Sequence, residues 1–286
     1  MRKRVLITGA NGFIGSALLR RLEDTKWEVI SLNRKGYTLK NEVVLDFCDE
    51  DFYVKIDSLP KVDAVIHLGA RIGWDGSSRS DLFVPNVLAT AELARWSNKI
   101  GAYFIFASAA IICGLDNPYI KSDSKPKIDS DYGYSKWLAE ELIRMSGVKY
   151  AILRIGGAFG RNGPKHLSLN LSIDNAFNGI RPIQYGEGKQ KRNYIYVEDL
   201  ADVLLYCLEN RIEGTHLVAG SNTSTVSEML ETICHILLPD KKPEYKAGDN
   251  SNSRDQIIEH SQALLKGRSF VDAICDLNKD VENVIL

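Results

Sequence analysis

The chain has 286 residues, 44% apolar and 26% charged, with a formal net charge of −1. This is the composition of an ordinary globular protein, with room for one large domain or a large and a small one. The charge balance gives no reason to expect nucleic acid or an anionic membrane as a partner. Met1-Arg2-Lys3-Arg4 is basic, but the apolar run Val5–Ile7 breaks at once into Thr8-Gly9, too short for a secretory core. The longest nearly apolar stretch, Ala102 to Cys113, is too short to span a bilayer. Five scattered cysteines (Cys48, Cys113, Cys207, Cys234, Cys275) and five scattered histidines show no metal spacing. They point to reduced thiols, most simply core residues, in a cytoplasmic protein.

Short β-branched runs alternate with amphipathic segments through the first two-thirds of the chain. The strand-like runs are Arg4–Thr8, Glu28–Leu32, Glu42–Leu45, Ala64–Leu68, Tyr103–Ala107 and Tyr150–Arg154. The helix-like segments are Gly12–Glu23, Leu82–Lys99 and Tyr132–Met145. Runs apolar on both faces suit a parallel sheet covered by helices on each side, which predicts a Rossmann-type, doubly wound α/β fold. Beyond Phe159 the periodicity fades. Val197–Asn210 reads as a helix, Thr215–Ala219 as a strand and Thr225–Leu238 as a helix. The expected organisation is a dinucleotide-binding domain over 1–164, with 195–220 returning to it. A smaller, discontinuous substrate domain would comprise 165–194 and 221–286, with the ligand cleft between the two.

The first turn, Gly9-Ala10-Asn11-Gly12-Phe13-Ile14-Gly15, follows a strand and opens a helix. Glycines there permit a tight turn, close approach of backbone N–H groups to a pyrophosphate, and packing of helix on strand. The helix N-terminus then faces the phosphate charge. After the second strand comes Asn33-Arg34-Lys35 rather than an acid. An acid would accept from both ribose hydroxyls and repel a 2′-phosphate, so NADP is the preferred cofactor here and NAD the alternative.

Further along stand Asp46, Asp63–Ala70, Asn86 with Thr90, Tyr132-Gly133-Tyr134-Ser135-Lys136, Arg154, and Arg192-Asn193-Tyr194-Ile195-Tyr196-Val197. In this order they resemble the extended short-chain dehydrogenases/reductases, specifically the NAD-dependent epimerase/dehydratase group. The resemblance implies that Asp46 contacts adenine. It places Leu68, Gly69 and Ala70 beside the pyrophosphate and ribose, and adds Asn86 to the cofactor's surroundings. Tyr132 and Lys136 sit at i and i+4 and share one face of a helix. An ammonium near the phenol would lower its pKa and suit Tyr132 to move a proton at a sugar oxygen. By resemblance Lys136 also holds the nicotinamide ribose.

The family usually supplies a Ser or Thr hydroxyl on the fifth strand, where this chain has Ala109, and Cys113 replaces the usual Tyr. Ser108, one residue early, could serve only if the backbone bends. Arg192 is implied to bind the diphosphate of a nucleotide sugar, and Tyr185 could stack on its base. Trp74 and Asp75 are possible substrate contacts, while His67 reads as structural. Lys165, Arg181, Lys189 and Lys191 cluster near Arg192 in sequence. Trp96 and Trp137 lie on the two helices through which the family dimerises, so a homodimer is expected. The favoured activity is NADPH-dependent reduction of a 4-keto-6-deoxy sugar nucleotide, with Tyr132 as proton donor. The alternatives are an NAD-dependent nucleotide-sugar 4-epimerase and a non-catalytic NAD(P) sensor.

Overall fold

The computed structural model describes residues 2–37, 40–73, 76, 78–248 and 254–285, with side chains through residue 279. Trp74 and Asp75 lie outside the described residues. Seven parallel strands form the central sheet: β1 (Lys3–Thr8), β2 (Trp27–Asn33), β3 (Glu42–Val44), β4 (Ala64–His67), β5 (Tyr103–Ala109), β6 (Tyr150–Ile155) and β7 (Gly214–Val218). Their spatial order is β7-β6-β5-β4-β1-β2-β3. The order reverses between β1 and β4, and ligands of open parallel sheets bind at such a switch point.

The period-two alternation of side chains decides the two cores. Val5, Ile7, Ile66, Ile105 and Leu153 face one side, where helices α1 (Phe13–Leu22) and α7 (Val197–Asn210) cover them. Leu6, Val65, Phe104, Phe106 and Ile152 face the other. There they meet α2 (Phe52–Asp57), α4 (Ala89–Ile100) and α5 (Asp131–Met145). The expected helix over Leu82–Lys99 is longer and irregular. It begins with α3 (Arg79–Phe83), capped by Ser78, and continues through a π-helical turn at Val84–Leu88 into α4. Pro85 lacks the N–H that a regular α-turn would use.

Three helices escaped the sequence reading: α2, α6 (Ser168–Phe177) and α9 (Phe270–Ile285). Helix α8 (Val226–Leu237) was expected and begins with a capping box formed by Thr225 and Glu228. Outside the central sheet, Ile183–Tyr185 pairs with Glu244–Lys246, and Lys191–Arg192 pairs with Ser224–Thr225. These short ladders tie residues 183–192 to 224–246. Among the described residues, no helix is long and apolar enough to cross a membrane.

Candidate active site

The glycine turn lies between β1 and α1, with Gly9 N–H donating to Leu32 O at 3.1 Å and so touching the end of β2. Gly9 has φ +67°, and a Cβ there would stand 3.0 Å from Gly69 N. A Cβ on Gly15 would come within 2.3 Å of Gly9 O. Both positions therefore exclude a side chain for steric reasons. No side chain caps α1, so its first amides remain available to an anion. A cavity of about 360 Å³ opens on the α1–α7 side of the turn, walled by Asn11, Gly12, Phe13, Ser16, Arg20 and Glu198 among others. The uncapped backbone of the turn fits a dinucleotide pyrophosphate.

Behind the turn runs a buried chain of hydrogen bonds. Gly69 N–H donates to Thr8 Oγ1 at 3.0 Å, and Thr90 Oγ1 donates its one hydrogen to Asn86 O at 2.7 Å. His67 Nε2, 2.9 Å from Thr90 Oγ1, must then be the donor, which leaves Nδ1 to accept from Thr8 at 2.6 Å. Burial, then the positive charge of Lys136, pushes the imidazole down to about 3, so it stays neutral in this tautomer. Asn86 bonds Arg71 through both its amide atoms and donates to Ser135 Oγ on α5 at 3.1 Å. The nucleotide turn, the end of β4 and the α5 helix are thus braced together.

Ser130 caps α5 by accepting from Gly133 N–H at 3.1 Å. In the first turn Tyr132 is half-buried, and one turn later Lys136 is fully buried. Lys136 Nζ donates to Ala107 O at 2.6 Å, and lies 4.4 Å from the Phe106 ring and 5.9 Å from the Tyr132 ring centroid. Burial pushes the phenol up to about 12 and the ammonium down to about 7, the latter against the pull of Glu140. This corrects the expectation of a phenol acidified by its neighbour. In the protein alone, burial governs Tyr132, whose ring centroid lies 5.9 Å from Lys136 Nζ.

Ser108 is likewise committed elsewhere. Its hydroxyl donates to Glu140 Oε1 at 2.6 Å, beneath α5. Glu140 is fully buried and also accepts from Arg154 at 3.0 and 2.8 Å and from Arg144 at 2.8 Å. Burial opposes its charge, but Arg154, then Ser108 and Arg144, hold the carboxyl below its ordinary value. Ala109 offers no hydroxyl, so the fifth strand presents none in the family's usual place.

At the other end of the cleft, Asn33 is buried and its Nδ2 donates to Glu42 Oε1 at 2.9 Å. Glu42 also accepts from Tyr37 N–H at 2.9 Å. A carboxylate from β3 thus stands at the end of β2, where the sequence continues into exposed Arg34. Asp46 Oδ1 accepts from Cys48 N–H at 2.9 Å, and Cys48 is exposed rather than part of the core.

Of the basic residues clustered in sequence, only Arg192 lines a second cavity. That cavity, about 230 Å³, also takes in Gln184, Tyr185 and Tyr194. Arg181 instead donates to Lys242 O and Pro243 O, Lys165 pairs with Asp174, and Lys189 pairs with Glu187. Trp96 is buried under the sheet and cannot serve an interface, whereas Trp137 is half-buried against Tyr134. Glu42 and Glu140 were missed. Only Glu140 had a signal, since it continues the i, i+4 row of Tyr132 and Lys136.

A dinucleotide cradle at the switch point and a Tyr-Lys pair on the helix after β5 define a short-chain dehydrogenase/reductase of the extended type. Residues 5–220 match the NAD dependent epimerase/dehydratase family, and the chain belongs to it. A putative UDP-glucose 4-epimerase of Methanocaldococcus jannaschii is 32% identical over 251 residues, 81% of each chain. Among solved structures, the UDP-glucose 4-epimerase of Thermotoga maritima with UDP-glucose is 22% identical, with a TM-score of 0.83 covering 99% of this chain and 100% of that one. A dTDP-4-dehydrorhamnose reductase of Bacillus anthracis with NADP is 20% identical, with a TM-score of 0.80 covering 98% and 100%. The chain is an NAD(P)-dependent nucleotide-sugar enzyme of this family.

Proposed function

We propose that the protein is a nucleotide-sugar 4-epimerase that works with NAD. The observation that carries this reading is the Glu42 carboxylate, 2.9 Å from the Asn33 amide at the end of β2. Its negative charge disfavours a 2′-phosphate at the adenosine ribose, against the pull of Arg34 and Lys35. The identity to a putative UDP-glucose 4-epimerase supports the same reading.

Gly9, Gly12, Gly15 and the first amides of α1 would hold the pyrophosphate. Asn33 would receive the adenosine ribose, with Asp46 beside the adenine, and Lys136 would hold the nicotinamide ribose. A bound nicotinamide would supply a reversible hydride acceptor. Tyr132 would take the proton of the sugar hydroxyl and later return it. With nothing bound its phenol is held protonated, so it must first release that proton to solvent to act as the base, a loss that the positive charges of Lys136 and of an oxidised nicotinamide would favour. The cavity formed by parts of 168–194 and 226–230 supports a substrate-binding role for 165–194 and 221–286, with Arg192 directed to the diphosphate and Tyr185 to the base.

The Asn33-Arg34-Lys35 tract keeps NADPH-dependent reduction as the second reading. Titration of the protein with NAD and NADP separates the two. The epimerase reading expects NAD to bind more tightly, and Glu42→Gln to move the ratio toward NADP by about tenfold, equivalent to ~1.4 kcal/mol. Tighter NADP binding, unchanged in Glu42→Gln, would favour the reductase.

A further inference from the structure

Two neighbouring residues on β5 hold two successive turns of α5. Ala107 O accepts from Lys136 Nζ at 2.6 Å, and the Ser108 hydroxyl donates to Glu140 Oε1 at 2.6 Å. Lys136 and Glu140 stand at i and i+4 and share one face of the helix. Glu140 has no exposed surface, and Lys136 has only 2%. The reaction proposed above uses the ammonium but leaves Glu140, Ser108 and Arg154 without a part in it.

A buried ammonium held by a neutral carbonyl keeps its proton weakly unless a negative charge stands close. Among the described residues the other buried carboxylates, Glu198 and Asp199, belong to α7 on the opposite side of the sheet. Glu140 is therefore the buried anion on the side of Lys136. Tyr132, on the same helix face, is held protonated, and His67 on β4 is neutral. Around Glu140 itself, Arg154 from β6 and Arg144 from α5 are cationic, and Arg144 also reaches Glu141 at the protein's edge. Cys113 lies beyond Arg154, its thiol pushed up by burial. These contacts fix where the carboxylate lies and hold it ionised. Without it, one buried ammonium would face two guanidiniums and no buried anion.

We propose that Glu140 is a positioning residue for the reaction: seated by Ser108 and Arg154, it acts through Lys136, keeping that ammonium charged beside the Tyr132 phenol. Ser108, which the sequence sets next to the catalytic centre, thus serves one helical turn along, at Glu140. The inference rests on the nucleotide-sugar reading above, which supplies the reaction that Lys136 assists.

The test follows the Lys136 side chain itself, by NMR of isotope-labelled lysine Cε in the full-length protein over a pH titration, the resonance assigned by its loss in Lys136→Met. Glu140→Gln should lower the Lys136 midpoint by about 1 in pH, a tenfold weaker hold on the proton, and Glu140→Asp should recover most of it. Turnover of UDP-glucose with NAD gives the functional readout. The deficit of Glu140→Gln should widen about tenfold between about pH 5.5 and pH 8, since only the charged amine assists. A purely structural defect would lower turnover by one factor at every pH. Because Glu140→Gln strands Arg154, the double variant Glu140→Gln with Arg154→Met repeats the titration with both ends of the ion pair neutral, and the same lowered midpoint is expected. A Lys136 midpoint unmoved in either variant, or a deficit independent of pH, overturns the role of Glu140. Absence of epimerisation by the wild type at any pH overturns the epimerase reading instead, and the NMR midpoint still decides the role of Glu140.

Discussion

Lys136 is an ammonium removed from water, donating to Ala107 O with the Phe106 ring beside it. Its pKa of about 7 in the folded protein lies far below the ordinary lysine value of 10.5. Below pH 7 the group is charged in both folded and unfolded chains, and the burial penalty is fully present. Between about 7 and 10.5 the unfolded chain binds the extra proton, so stability rises with pH through that window. Thermal melts from pH 7 to 9 should therefore show the wild type gaining on Lys136→Met, and parallel curves would contradict the titration. Tyr132 is tested by turnover. Tyr132→Phe removes the transferable proton and should lower kcat by about 10²–10⁴-fold with dinucleotide affinity little changed. An active Tyr132→Phe enzyme would move the acid–base role to another residue.

At the scale of elements, α5 is fixed at three levels, by its own cap and by groups from two other elements. Ser130 caps its start, Asn86 reaches Ser135 from the π-helical turn, and Arg154 on β6 meets Glu140. Charge, not apolar packing, holds this last contact. Removing one partner of a buried ion pair typically costs about 3–5 kcal/mol, because the other charge is stranded. Arg154→Met should lower unfolding free energy toward that range in urea titrations. The loss should be smaller if Arg144 and Ser108 alone suffice for Glu140. The α1 turn is governed by sterics instead. Gly15→Ala drives a methyl into Gly9 O and should destabilise the fold by about 1–3 kcal/mol and weaken dinucleotide binding, read by melting with and without NAD.

Across the whole molecule, local patterns carried the parallel sheet and the Tyr-Lys helix into the sequence reading, because both depend on spacing along the chain. Helix α9 was readable in principle: Phe270, Ala273, Ile274 and Leu277 fall at i, i+3, i+4 and i+7, and all are buried. Helix α6 was harder, since Asn170 is buried inside it to bond Gly160 N–H and Pro164 O, breaking the apolar stripe. What could not be read were pairings set by tertiary approach. Glu42 reaches Asn33 across a strand pair, Ser108 reaches Glu140 over 32 residues, and Arg192 donates to Arg254 O over 62. In sequence the basic tract after β2 stands without the carboxylate that the fold brings beside Asn33.

The most direct test of the proposed activity follows UDP-glucose, with the purified protein and NAD, by proton NMR at the anomeric and C4 positions. The proposal predicts appearance of the C4 epimer with no net change in nicotinamide absorbance, lost in Tyr132→Phe. Stoichiometric consumption of NADPH with a 4-keto sugar nucleotide, and no C4 inversion of any UDP-sugar offered, would contradict it and make the protein a reductase.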